Sequence, residues 1–159
     1  MKHTIPLSLL AAVLVLAGFG CGSRTTQYGD TSVTEERDGT ITVTNKEGGG
    51  TYQFTTNRLV EGFPENVPLY PDAAIQTSQV YTGGAALGLL TQDAPGAVRA
   101  WYAAEMVKQG WTETSRLDSG EGLLTYWQNS SGHNGLLTIV TTEKGTEISF
   151  LQSDPVPAP

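Results

Sequence analysis

Apolar and polar residues alternate along most of the second half of the chain. Residues 74–81 and 85–91 carry the two-residue period of β-strands on either side of Gly83-Gly84. The period then changes. Ala94, Val98, Trp101, Tyr102 and Met106 fall at helical spacing and predict one buried helix stripe. Asp93 is the expected N-cap, with Pro95 in the first turn where its missing N–H does no harm. The helix is predicted to run to about Gln109. Gly110 is its left-handed terminator, and Trp111 is placed to touch Met106 across that turn. Four more strands are predicted at 111–117, 123–128, 136–142 and 147–152. The breaks between them are rich in Gly, Ser, Asn and Asp, and their even spacing suits an antiparallel meander.

The first half is patterned more weakly. Residues 40–44 and 51–55 alternate, which puts Ile41, Val43, Tyr52 and Phe54 on one face. Asp38-Gly39 predicts a two-residue hairpin with positive φ at both positions. Residues 33–56 therefore form a small three-stranded meander, marginal unless it packs on something else. Residues 57–72 form a Pro-rich connector, with Pro64, Pro68 and Pro71 forcing extended backbone. Phe63, Val67, Leu69 and Tyr70 give it apolar anchors. It reads as a strap over the core or, alternatively, as a peptide-like surface for a partner. Residues 21–32 read as a small, polar tether, and residues 153–159 as a Pro-rich tail.

The expected fold class is α+β. One helix packs on an antiparallel sheet in the order ββαββββ over residues 73–152, preceded by the N-terminal β-meander. The helix covers one face of the sheet. The other face mixes Thr, Gln and Ser with Leu, Tyr and Trp, and it meets water, the meander or a partner.

The first twenty residues have a different layout. Met1-Lys2-His3 is a short basic start, and Ile5 to Phe19 is an almost continuous apolar run followed by small residues. This is the plan of a secretory signal peptide, and the run is shorter than the ~20 residues of a membrane span. The only Cys of the chain, Cys21, ends this segment in Leu16-Ala17-Gly18-Phe19-Gly20-Cys21-Gly22. The stretch resembles a bacterial lipoprotein signal. The resemblance implies cleavage before Cys21 and attachment of diacylglycerol to its thiol, with further acylation of the new amino group. Gly18 and Phe19 depart from the usual Leu-Ala type pair, which leaves an ordinary signal peptide cut after Gly20 as the alternative. In such lipoproteins Gly22 rather than Asp after the Cys favours the outer membrane of a Gram-negative cell. A second resemblance lies in Phe63-Pro64-Glu65-Asn66-Val67-Pro68-Leu69-Tyr70-Pro71-Asp72-Ala73, followed by a helix that ends in Gly110-Trp111. It is similar to an "FPxDVPxYPGA" stretch found in many uncharacterised bacterial lipoproteins. Asn66 and Asp72 replace the commonest Asp and Gly. The two stretches cover under a quarter of the chain, and they imply an exported α+β domain and no reaction.

Charge and composition narrow the functions open to such a domain. The chain has 159 residues and a net charge of −7; loss of residues 1–20 would leave 8 basic against 16 acidic residues. Such a surface repels phosphate backbones, so nucleic acid is not an expected partner, and no polybasic patch draws it to anionic lipid. A single Cys excludes a disulfide framework and a Cys-rich metal centre. After the signal one His remains, His133, in a turn beside Ser130 and Ser131. Neighbours on a turn rarely aim at one another, and no nucleophile elbow accompanies them. Asp118 and Glu121 share a Gly-rich turn without calcium-loop spacing. Residues 82–88 look like a phosphate cradle but lack the Lys and the helix that a cradle needs, so they read as a hairpin turn. No enzyme, cofactor or metal is therefore expected.

The aromatic residues are the remaining candidates. Trp101, Trp111, Tyr126 and Trp127 either fill the core or line a pocket for an apolar ligand or a glycan. Tyr126 and Trp127 are consecutive in one strand, so they face opposite ways and one of them leaves the helix-covered face. Both are named as candidate partner or ligand contacts. The expectation is a lipid-anchored envelope module that docks on another envelope component, with carriage of a small apolar ligand as the alternative.

Overall fold

In the computed structural model, which describes residues 23–155 except 48 and 121, backbone pairing joins nearly all the predicted strands into one sheet. In chain order the elements are β1 (Arg24–Tyr28), β2 (Thr31–Glu35), β3 (Ile41–Asn45), β4 (Gly50–Thr56), β5 (Ala74–Tyr81) and β6 (Gly84–Thr91). Then come α1 (Pro95–Lys108), β7 (Trp111–Asp118), β8 (Gly122–Asn129), β9 (Asn134–Thr142) and β10 (Gly145–Ser153). The sheet is antiparallel, with ten strands in the order β1-β2-β3-β4-β5-β6-β10-β9-β8-β7. Among the described residues this is a mostly-sheet α+β fold with one helix. The expected signal peptide, Cys21 and the end of the tail lie outside the described residues.

The N-terminal meander differs from its expected form in two ways. It has four strands, because Arg24–Tyr28, read as tether, forms β1 and pairs with β2. All five β1 side chains are exposed, so no burial pattern marks this strand in the sequence. Backbone bonds hold it, with a hydroxyl bond of 2.9 Å between Thr25 and Thr34. The meander also does not lie over the main sheet. It extends that sheet edge-on, with β4 pairing β5 from Tyr52 opposite Tyr81 to Thr56 opposite Thr77.

Two local expectations change as well. Of Asp38 and Gly39, only Gly39 has positive φ, 82°. The hairpin is a longer loop in which Glu36 N–H donates to Thr40 and Gly39 N–H donates to Glu36. This is the type I turn plus left-handed glycine that closes three-residue hairpins. At the helix start Ala94, not Asp93, is the N-cap, and it makes no side-chain cap bond. Pro95 fixes the first helical position, so Asp93 sits one residue too early to reach the free N–H groups. Its carboxylate instead accepts the Tyr70 hydroxyl at 2.8 Å. The C-terminus follows expectation, with Gly110 at φ 82° after a helix ending at Lys108.

Helix α1 lies on the crossover from β6 to the edge strand β7, and β7–β10 then return across the sheet to β6. The core lies between this helix and the sheet. Val98, Tyr102 and Met106 of the helix are buried with Leu87, Leu89, Leu123, Trp127, Leu137, Ile139, Ile148 and Phe150 of the strands. Trp111 joins them and meets Phe150 edge-on at 5.6 Å. The Pro-rich segment closes the rest of the core face. Val67 and Tyr70 are buried there, with Phe63 and Leu59 packed alongside. Three fasteners hold it. Ser78 Oγ accepts Val60 N–H at 2.7 Å, Trp111 Nε1 donates to Asn66 O at 2.7 Å, and Tyr102 donates to Pro68 O at 3.3 Å.

Candidate binding surface

A strand with one buried face alternates strictly, and β10 does so: Thr146, Ile148, Phe150 and Gln152 are buried while Glu147, Ser149 and Leu151 are exposed. The outward residues of neighbouring strands are not mainly polar. Tyr126 of β8 lies opposite Leu136 of β9, which lies opposite Leu151 of β10, which lies opposite Ala86 of β6. The row continues through Gln79 to Phe54 and Ile41. It crosses seven strands, a span of ~29 Å at the usual strand spacing. Leu117 and Leu124 are paired on the same face, and Val140 lies further along β9.

The face is open at this row and beside it. Tyr126 and Leu151 of the row are 47% and 43% exposed, and Leu117, in the next row, is 66% exposed. Trp127 is 3% exposed and belongs to the core, where its indole N–H donates to Thr125 Oγ1 at 3.0 Å. Of the two candidate contacts, the structure leaves only Tyr126 on the surface. The pleat makes this choice, since consecutive side chains of β8 point to opposite faces and the helix covers one of them. Trp111 is likewise core, and Trp101 is half-buried.

At the other end of the row Tyr52 packs on Phe54 at 5.9 Å and stacks on Tyr81 at 6.1 Å. Tyr52 donates to Gln79 Oε1 at 2.6 Å. Burial holds the Tyr52 and Tyr81 hydroxyls above the usual tyrosine range, so both stay neutral and this end of the face carries no phenolate.

A second feature lies on the covered side, where α1 meets the Pro-rich strap. Trp101 stands between two open hollows. One, of about 430 Å³, is lined by Phe63, Pro64, Val67, Leu69 and Glu105; the other, of about 340 Å³, by Tyr70, Pro71, Thr91 and Asp93. Trp101 meets Tyr70 edge-on at 5.2 Å and Tyr102 at 4.9 Å, so one flank of its ring is supported by the core. The hydrogen bond to Asp93, helped by burial, raises the Tyr70 hydroxyl and keeps it protonated.

The remaining polar candidates are held by structural partners. His133 Nδ1 lies 3.3 Å from Asn129 Oδ1, and its Nε2 lies 3.7 Å from Asp154. Among the described residues no hydrogen bond joins it to Ser130 or Ser131. Asp118 accepts Gly120 N–H at 3.0 Å and pairs with Arg99 at 2.9 Å. Those contacts, the backbone one first, hold its carboxyl below the usual range. Glu121 and Cys21 lie outside the described residues, and among these no cluster of three His, Cys, Asp or Glu is placed to hold a metal. Residues 82–88 form the β5–β6 turn and the start of β6.

The sequence reading names Tyr126 but not Leu117, Leu136, Val140 or Leu151. A signal for them existed. Leu89-Leu90, Leu123-Leu124, Leu136-Leu137, Ile139-Val140 and Phe150-Leu151 are all apolar pairs inside strands. Each such pair places one member on each face, as Tyr126-Trp127 does. The class defined by fold and surface is a mostly-sheet α+β domain that, among the described residues, has one helix and leaves one face of the sheet uncovered. The chain matches no protein-family profile, no curated protein and no solved structure.

Proposed function

We propose that this chain is a lipid-anchored protein of the bacterial cell envelope whose domain is a non-catalytic binding module. Its contact surface is the open sheet face around Tyr126. The observation that carries this reading is the unbroken row Tyr126–Leu136–Leu151–Ala86 on a face that no other element covers among the described residues. A solvated sheet face is normally polar, and contiguous exposed apolar patches mark interaction sites. Cys21 is the anchor. Only residues 22 and 23 separate it from β1, so the Cα of Arg24 lies at most ~11 Å from that of Cys21. The β1 edge therefore stays near the bilayer rather than standing off on a long tether.

The test has two readouts. Mass spectrometry of the chain expressed in a bacterial host should show cleavage before Cys21 with diacylglycerol attached; an unmodified chain removes the anchor. Hydroxyl-radical labelling should oxidise Tyr126 more slowly in intact membranes than in dilute purified protein. Equal rates remove the contact surface.

The hollow of about 430 Å³ beside Trp101 favours a second reading, carriage of a small apolar ligand. A shift in tryptophan emission on adding an apolar fluorescent probe, lost in Trp101→Phe, supports it. No shift at saturating probe counts against it.

A further inference from the structure

Strands β1–β4 extend the sheet beyond α1 and contribute no residue to the core around that helix. Their two faces differ. One presents Thr25, Thr34, Thr42 and Gln53 in a cross-strand row, where Thr25 and Thr34 hydroxyls bond at 2.9 Å and Gln53 donates to Thr42 at 3.4 Å. The other presents Val33, Val43, Tyr52 and Tyr81 in one row and Ile41 beside Phe54 in the next. These apolar side chains cover one another in part, and each is half-buried. An apolar sheet face is normally buried against a second layer. The described residues place no such layer here.

Charge placement and chain length point to one occupant. Within β1–β4 the charged side chains are Arg24 and Glu35, cross-strand partners of opposite sign at the margin of the apolar face. The other charges of the meander lie in its turns, so an uncharged apolar centre has a charged rim. Such rimmed patches mark protein or membrane contacts. Residues 22 and 23 alone join Cys21 to Arg24, so the start of β1 lies at most ~11 Å from the Cys21 Cα. Strand β3 is two strand spacings further on, ~10 Å. A lipid on Cys21 therefore holds the apolar rows beside the point where acyl chains enter the bilayer. Tyr52 and Tyr81 suit that boundary, with apolar rings and polar hydroxyls, and Tyr28, 51% exposed on the same face of β1, adds a third.

We infer that the apolar face of β2–β4 lies on the lipid surface beside the anchor, with the hydroxyl face turned to water. The inference rests on the Cys21 anchor of the reading above and goes beyond it, because the Tyr126 patch lies at the other end of the sheet and stays open to a partner. The contact is apolar and uncharged, so it needs no anionic lipid and persists at high salt. Tethering by the acyl chains raises the effective concentration of the face at the membrane and lets a modest contact hold.

The test compares nitroxide labels at Val43→Cys and Thr42→Cys in the full-length protein, where an acylated Cys21 offers no competing thiol. These neighbours on β3 differ in the face they occupy. The purified protein is placed in phosphatidylcholine vesicles at high lipid excess. Electron paramagnetic resonance then reads collisions with oxygen, which concentrates in lipid, and with a polar nickel complex, which stays in water. An apolar face sits ~5–10 Å into the headgroup boundary, so nickel should reach residue 43 about tenfold less often than residue 42, while oxygen reaches residue 43 more often. Near-UV circular dichroism checks the fold, and Thr26→Cys against Thr25→Cys serves if Val43→Cys unfolds. Equal nickel access at the two positions in a lipidated chain overturns the contact and leaves the anchor standing. Low access of both reagents to residue 43 means that protein covers the face, which also overturns it. A chain whose mass shows no diacylglycerol overturns the anchor and this contact together.

Discussion

Phe150 and Leu151 are adjacent, similar in hydrophobicity and carried by the same strand, yet truncating them should have very different effects. Phe150 is 2% exposed and packs edge-on against Trp111, with Ile148, Leu137 and the helix around it. Phe150→Ala removes a buried ring and leaves a cavity that the β-sheet cannot collapse to fill. The expected cost is ~3–5 kcal/mol. Leu151 is 43% exposed in the single chain, so Leu151→Ala forfeits about half of a burial contribution of ~1.5–3 kcal/mol, or roughly 1 kcal/mol. The assay is urea unfolding followed by tryptophan emission. Trp111 and Trp127 report the core directly. At equal slope, the midpoint should fall at least three times further for Phe150→Ala than for Leu151→Ala. Equal shifts, or a larger one for Leu151→Ala, would refute the assignment of the two faces and with it the contact surface.

Gly135→Ala should destabilise the fold by ~1–3 kcal/mol, because a methyl group there would sit 2.7 Å from Phe150 Cζ and 3.1 Å from Trp111 Cζ3. Phe150→Leu in the same chain should recover part of that loss in urea unfolding; no recovery would mean the clash is not the cause. Burial pushes the Tyr102 hydroxyl well above the ordinary tyrosine value of 10.0. The folded chain thus holds this proton more tightly than the unfolded one, so its stabilising effect is complete below pH 10 and is lost as pH rises above it. Tyr102→Phe should flatten that alkaline loss in thermal melts, at a cost near neutrality of ~1 kcal/mol for the bond to Pro68. An unchanged alkaline slope would count against it.

The residue pattern by itself determined the features that depend on near neighbours. Pro95 and Gly110 mark the two ends of α1, because a proline start and a left-handed stop act within one turn of backbone. The strands from β3 onward follow from two-residue alternation and intervening turns. Tyr126-Trp127 already required one aromatic ring to leave the core. Tertiary structure decided the rest. Strand β1 is fully exposed, so its place depends on backbone bonds to β2 and leaves no mark in hydropathy. Asp93 lost its capping role to a hydroxyl from a strap more than twenty residues away. The pairing of β4 with β5 spans the whole Pro-rich segment, and that of β6 with β10 spans the helix and three strands. Those long-range pairings align Tyr126, Leu136, Leu151 and Ala86 into one row. No local period encodes such a row, because each member is specified only by its own strand and the register between strands is set by the packing of the opposite face.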